Sequence, residues 1–272
     1  MPMIATDLDG TLLGSGGQPS QRNLDALRRL GERRAVRVIA TGRSAFSARR
    51  VVAPEAPIDY LVVSSGAGII DWRTGEYLRT VDLVPEQTAT AATALTALGL
   101  DFMVHDTIPD NHRFVYRRAV GQPDFERRIA LYVDHCTEGD GPWTRAACQL
   151  LAVHDGPTSM VGPVRRRLPE FSVVRATSPL DRTSEWIEVF DPAVSKSQAC
   201  AWIADRHALS PADALAVGND TNDLDLLRWA GQARVVANAH EALLDEFDAV
   251  AGVDAHGFAE AAEVLLGPVH AT

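Results

Sequence analysis

The chain has 272 residues, 46% hydrophobic and 23% charged, which is enough apolar material for one large core or two modest ones. A formal net charge of −10 argues against a nucleic-acid binder, yet leaves a small anionic ligand open, because local charge can oppose the total. The three cysteines, Cys136, Cys148 and Cys200, form no CxxC pair, and no segment approaches 18 uninterrupted apolar residues, so a disulfide framework, a zinc cluster and a membrane span are all disfavoured.

The first 70 residues alternate strand and helix. Met3 to Thr6 reads as a short buried strand, and Ser20 to Arg33 as an amphipathic helix with Leu24, Leu27 and Leu30 on one side. Val36 to Ala40 is a second apolar strand, Ser44 to Val52 a helix closed by Pro54, and Tyr60 to Val63 a third strand. The pattern returns with a strand over Ile187 to Phe190 and a helix over Ser195 to His207. Leu215 to Val217 and Ala233 to Val236 follow as strands, with helices over Asn222 to Trp229, His240 to Phe247 and Phe258 to Leu266. Buried strands alternating with helices imply a parallel α/β sheet covered on both faces, a Rossmann-like doubly wound core.

The middle of the chain differs. A Thr/Ala-rich helix over Pro85 to Leu98 precedes strands near Phe102, Phe114, Leu151 and Val173, with a basic helix over Val164 to Leu168. Clusters of Pro and Gly punctuate it, as at Gly121-Gln122-Pro123. The expected division is therefore 1–79 and 183–272 for the core, with an α/β domain inserted at 80–182.

Four polar clusters follow the core's apolar runs. Asp7-Leu8-Asp9-Gly10-Thr11 stands directly after the first strand, at the edge where open α/β sheets bind ligands. A solvated turn also uses Asp and Gly, but two acids at a strand end suit a hard cation such as Mg2+. Thr41-Gly42-Arg43-Ser44 follows the second strand and opens a helix, an arrangement suited to an anion as well as to simple capping by Ser44. Lys196 is the one lysine among 26 basic side chains, so a compact ammonium has been kept where every other position carries a guanidinium. It opens a helix, where the dipole disfavours a cation unless an anion lies close. Gly218-Asn219-Asp220-Thr221-Asn222-Asp223, with Asp225, crowds acids and carboxamides into one turn and helix start.

In this order and setting the motifs resemble the haloacid dehalogenase-like phosphatase superfamily, in its Cof-type or class IIB branch, nearly end to end. Asp7 to Leu12 is similar to the first motif, Ala40 to Arg43 to the second, Val194-Ser195-Lys196 to the third and Gly218 to Asp223 to the fourth. Ala237-Asn238-Ala239 and His256-Gly257 also match the branch, and the inserted segment resembles its C2-type cap.

The resemblance implies roles. Asp7 is the nucleophile, forming an aspartyl phosphate. Asp9 is the general acid and then the base. Thr41 and Lys196 hold the transferring phosphoryl oxygens. Gly10, Thr11, Gly42, Arg43, Ser65 and Asn222 are expected around the substrate. Mg2+ is the expected cofactor, held by Asp7, the Asp9 carbonyl and the acidic loop. The family has Gly-Asp where this chain reads Gly218-Asn219, so Asn219, Asp220 and Asp223 stand as joint candidates for the loop's metal contact. Ser64-Ser65-Gly66-Ala67 stands where the branch often has Asn-Gly-Ala.

The implied function is Mg2+-dependent hydrolysis of a small phosphate monoester, a sugar phosphate or related metabolite. The alternatives are transfer of the same phosphoryl group to a second substrate, as in a phosphotransferase or mutase, and non-catalytic metabolite binding. The expected partner is a phosphorylated metabolite, with no nucleic acid and no membrane, in a cytoplasmic monomer or homodimer. Asp110, His112 and Arg113 are candidates for substrate choice by the inserted domain, although each also reads as solvated surface. Arg165 to Arg167 read as a solvated helix face, the histidines as structural and the cysteines as packing residues.

Overall fold

The computed structural model describes residues 1–266. The chain divides into two compact units, one of Met1–Arg79 with the chain from Ser195 onward, the other Thr80–Val194. The first unit begins with β1 (Met3–Thr6), α1 (Gln21–Glu32), β2 (Val36–Ala40), α2 (Ala45–Ala48), β3 (Tyr60–Val63), β4 (Gly68–Asp71) and β5 (Tyr77–Thr80). The second unit contains α3 (Pro85–Ala97), β6 (Asp101–His105), β7 (Phe114–Arg117), α4 (Pro123–Leu131), β8 (Cys136–Glu138), β9 (Leu150–His154), α5 (Val161–Arg167), β10 (Ser172–Thr177) and β11 (Glu185–Phe190). The first unit resumes with α6 (Lys196–Arg206), β12 (Ala214–Gly218), α7 (Leu224–Trp229), β13 (Gln232–Val236), α8 (Glu241–Leu244), β14 (Ala249–Val250) and α9 (Gly257–Leu266).

Among the described residues the first unit's sheet runs β14-β13-β12-β1-β2-β3-β4-β5. It is parallel from β14 to β3, and β4 turns back antiparallel on β3. Strand periodicity sends alternate side chains to opposite faces. Ile4, Ile39, Leu61 and Val217 pack with Leu27 and Leu30 of α1 and with Phe258 and Ala262 of α9. Met3, Val38, Val62 and Ala216 pack with Ala199, Cys200 and Ile203 of α6 and with Leu226 and Leu227 of α7. Both faces are covered, which makes this the expected doubly wound sheet. β1 lies between β12 and β2, so the segments leaving the carboxyl ends of these three strands emerge side by side along one edge.

Two helices are shorter than their apolar patterns suggest. Ser44 caps α2, accepting from Ser47 N, but the helix stops at Ala48 and the chain turns through Val52 ahead of Pro54. α8 is likewise confined to Glu241–Leu244.

The second unit's sheet runs β10-β11-β9-β6-β7-β8, antiparallel except for the β7–β8 pair. β11 corrects the expected organisation. Its pattern suits the first sheet, yet it pairs with β10 and β9, and the unit extends to Val194 rather than to 182. The cause is burial on both faces. Ile187 and Val189 pack with residues of α3 and α5, while Trp186 packs with Phe125 of α4. A strand covered twice gives the continuous apolar run that a parallel core strand also gives.

α4 lies where Gly121-Gln122-Pro123 reads as a loop; Pro123 occupies its first turn, where the missing N–H costs nothing. Asp110 and Arg113 are exposed, and His112 is partly buried, edge-on to His135 with ring centroids 5.0 Å apart. Arg165, Arg166 and Arg167 are exposed on α5. None of the three cysteines is in a disulfide, and burial pushes the thiols of Cys136 and Cys200 up, away from reactivity.

Candidate active site

β1 carries Asp7 to the sheet edge. Leu8 is fully buried in the α1/α9 core and accepts backbone hydrogen bonds from Leu12 and Leu13, so the loop after β1 is pinned between its two acids. Asp7 is 4% exposed and its N–H donates to the Val217 carbonyl at 2.9 Å, joining it to β12. Thr41 follows β2 and is held by Val62 in the same way, its N–H donating at 2.9 Å.

Lys196 is buried to 1% at the first position of α6. Ser195 caps this helix, accepting from Gln198 N, and the Ser197 N–H donates to Asp225 at 2.8 Å. The Lys196 ammonium donates to Asp7 Oδ1 at 2.7 Å and to Asp223 Oδ1 at 2.5 Å. The helix start is seated against the turn after β3. Gly66 adopts φ +113, and a Cβ there would strike the Ser195 backbone. Ser64 and Ser65, just before it, are buried with φ of 49 and 55, a left-handed pair that costs about 1–2 kcal/mol per residue.

The acidic loop sorts its members. Asp223 Oδ2 accepts from the N–H groups of Asn219 and Asp220 at 2.9 and 3.1 Å, so both its oxygens are engaged by the loop and by Lys196. Asp220 caps the turn, accepting from Thr221 N at 2.7 Å. Asn219 alone of the three reaches the first motif. One end of its amide lies 3.2 Å from Asp7 Oδ2, 3.0 Å from the Asp9 carbonyl oxygen and 2.9 Å from Thr11 Oγ1. With Nδ2 in that place the amide donates to all three; with Oδ1 there, the Thr11 hydroxyl donates to it and the other two oxygens face it. Gly10, at φ +78, makes room for the amide: a Cβ there would come within 2.6 Å of it. Of the joint candidates Asn219, Asp220 and Asp223, Asn219 is the one whose amide faces Asp7 and Asp9, while Asp223 accepts from Lys196 and two loop N–H groups and Asp220 accepts from Thr221 N.

Asp9 faces away from this cluster. Its two oxygens take the Arg43 guanidinium as a fork, each at 2.7 Å. Arg43, expected at the substrate, is thereby tied to the expected acid–base residue. The Arg43 N–H in turn donates to Thr41 Oγ1 at 3.1 Å. Asn222 is partly buried in the acidic loop, and among the described residues its side chain enters no hydrogen bond.

Two buried acids share one buried base. Burial, then the Asp223 carboxylate, push the Asp7 acid up to about 8, against the pull of Lys196. Burial also opposes the charge on Lys196, but Asp223 and Asp7 outweigh it and hold its pKa above the ordinary lysine value. The ammonium therefore stays charged, and one buried base serves two buried carboxyl groups. Among the described residues no three His, Cys, Asp or Glu side chains are grouped to hold a metal. The groups that converge at this edge and could hold a cation are a mixed set: Asp7 Oδ2, the Asp9 carbonyl oxygen and the Asn219 amide.

Two residues that the motifs include but assign no role also shape the site. Asn238 donates to the Gly10 carbonyl at 2.9 Å and accepts from Val253 N at 2.7 Å, bracing the loop after β1. Asp225 fixes the start of α6 through Ser197. Asn238 carries a signal only through its likeness to the family's late motif. Asp225 reads as one more acid at a helix start.

Residues 4–261 match the family model described as haloacid dehalogenase-like hydrolase. The chain is 23% identical over 267 residues to the 5-amino-6-(5-phospho-D-ribitylamino)uracil phosphatase YwtE of Bacillus subtilis, covering 90% of this chain and 91% of that protein. A phosphoglycolate phosphatase of Archaeoglobus fulgidus is 37% identical over 78 residues, 28% of this chain and 35% of the relative's own length. A phosphatase of the haloalkanoate superfamily from Bacteroides thetaiotaomicron shares the fold, with TM-score 0.79 at 24% identity over 97% of this chain and 94% of that one. Among the described residues no helix is long and apolar enough to cross a membrane. The chain belongs to the haloacid dehalogenase-like hydrolase family.

Proposed function

We propose that the chain is a phosphatase that hydrolyses small phosphate monoesters through an aspartyl phosphate on Asp7, with Mg2+ as cofactor. One observation carries the reading: a buried carboxylate at the carboxyl end of β1, ion-paired to the sole lysine, with a second acid two residues along the same loop.

Asp7 attacks phosphorus, and the bond to the leaving oxygen breaks as the new one forms. Asp9, protonated, gives its proton to that oxygen. Water then attacks the aspartyl phosphate and passes a proton back to Asp9, releasing inorganic phosphate and restoring Asp7. Lys196 spends two of its three N–H groups on Asp7 and Asp223 and has one left to offer a phosphoryl oxygen with its compact charge. Arg43, forked on both Asp9 oxygens, holds that carboxyl ionised, so the fork must release one oxygen before Asp9 carries a proton to the leaving group.

The donor set fits Mg2+. Asp7 Oδ2, the Asp9 carbonyl oxygen and the Asn219 amide would hold it, oxygen donors of the kind Mg2+ takes. There it would supply a second positive charge, easing approach of a phosphate dianion to the Asp7 carboxylate.

The relatives' names suggest the compounds to try: a phosphorylated ribityl compound and phosphoglycolate, beside simple sugar phosphates. Phosphate release is measured across this panel with Mg2+ and with chelator, for the chain and for Asp7→Asn. Mg2+-dependent release that vanishes in a folded Asp7→Asn is expected. Wild-type turnover by that variant refutes the mechanism, and release from no compound favours metabolite binding without catalysis.

A further inference from the structure

Asn219 stands where its amide can be used in two ways. The end facing Asp7 and Asp9 meets two acceptors, while Thr11 Oγ1, a hydroxyl, serves either orientation by donating to an oxygen or accepting from a nitrogen. The other end packs on Gly10, where even a Cβ would clash, and enters no hydrogen bond among the described residues. Neither Thr11 nor Gly10 therefore selects an orientation; only what lies between the amide and the two acceptors does. Without a cation the nitrogen turned inward ties Asp7 Oδ2 and the Asp9 carbonyl together. With one, the oxygen turned inward completes a face of three oxygens.

We infer that Asn219 is a two-way ligand, its amide rotating about χ2 between hydrogen-bonding the Asp7 and Asp9 oxygens and sharing a divalent cation with them. The inference rests on the Mg2+ reading above and adds a consequence. The metal competes with the protein's own hydrogen bonds, so the site releases Mg2+ more readily than one with a second carboxylate in place of the amide would and holds together better when empty. An aspartate at 219 lacks the donor and adds a charge, which reverses both properties.

The test is calorimetric titration of Mg2+ into the full chain and into Asn219→Asp, with thermal melting of both in excess chelator. Asn219→Asp is expected to bind Mg2+ at least about tenfold more tightly, because affinity follows ligand charge, and to melt below wild type in chelator. Equal affinities, or a variant as stable as wild type in chelator, overturn the inference alone. Mg2+ uptake by neither protein overturns the metal reading beneath it as well. Should Asn219→Asp fail to fold, Asn219→Ala decides: it is expected to bind Mg2+ more weakly and to melt lower in chelator, and no change in either overturns the inference.

Discussion

Replacing Lys196 by arginine keeps the charge and tests whether the lone lysine is a requirement of the site. The ammonium is 1% exposed and bridges two carboxylates at 2.7 and 2.5 Å, among the largest fully buried side chains of the first unit. Arginine brings two more heavy atoms and a planar fork into that space. Overpacking of this kind costs about 1–3 kcal/mol of stability. The fork cannot keep one nitrogen between Asp7 and Asp223 and also offer a compact charge to a phosphoryl group. Loss of one positioned donor to a transition-state oxygen lowers kcat by about 100- to 1,000-fold. Lys196→Met is the companion variant: it leaves Asp7 and Asp223 facing each other with no base, at about 3–5 kcal/mol. The assay is steady-state phosphate release at saturating Mg2+, with thermal melting of each variant. Lys196→Arg should melt slightly below wild type yet lose most of its turnover, while Lys196→Met loses both. An arginine variant that turns over at the wild-type rate refutes the reasoning and leaves the lone lysine an accident of composition.

His105 predicts a pH dependence. Burial, then the nearby Arg128, depress its pKa from the usual histidine value to about 3, with Arg145 and His112 adding to the effect and the Asn111 carbonyl opposing it. A histidine depressed on folding costs nothing above its unfolded pKa and destabilises as pH falls below it. The loss at pH 5 is about 2 kcal/mol, taking about 6.5 for the unfolded value. Melting between neutral pH and pH 5 should show this slope, and His105→Gln should flatten it; an unchanged slope in the variant refutes the assignment. Gly66→Ala drives a Cβ into the Ser195 backbone from a conformation that alanine avoids, so melting temperature and phosphate release should fall together, by about 2–4 kcal/mol in stability. Asp101 accepts from four successive backbone N–H groups, Ala119 to Gln122, which hold its carboxyl below the usual range although burial pushes the other way. Asp101→Asn should cost about 2–3 kcal/mol, with hydrogen exchange rising first over residues 119–122; protection there equal to wild type would show that the loop holds itself.

The placement of Asp7 and Thr41 at one edge was legible because a parallel sheet simplifies the problem. Every strand of such a sheet ends on the same edge, so a polar cluster that directly follows an apolar run is placed without knowledge of tertiary contacts. The lysine added a compositional signal of its own. β11 shows the limit of that logic. Its apolar run records burial on both faces, not which neighbours do the burying, and a central antiparallel strand under α3 and α4 looks the same as a parallel one. The fork from Arg43 to Asp9 joins residues 34 positions apart with no periodic relation, and only the loop conformations after β1 and β2 bring them together. Within the acidic loop, sequence supplies three plausible ligands, Asn219, Asp220 and Asp223, and no ranking, because an Asp that caps a turn and an Asp that binds a cation have the same composition around them. What ranks them is occupancy. A carboxylate whose oxygens already accept from Lys196 and two backbone N–H groups has nothing left to give, whereas an amide wedged between Gly10 and Thr11 still has one atom facing two oxygens. The residue that departs from the family pattern is therefore the one whose amide faces the oxygens of Asp7 and Asp9, and the substitution that restores the pattern, Asn219→Asp, is the most informative change at this site.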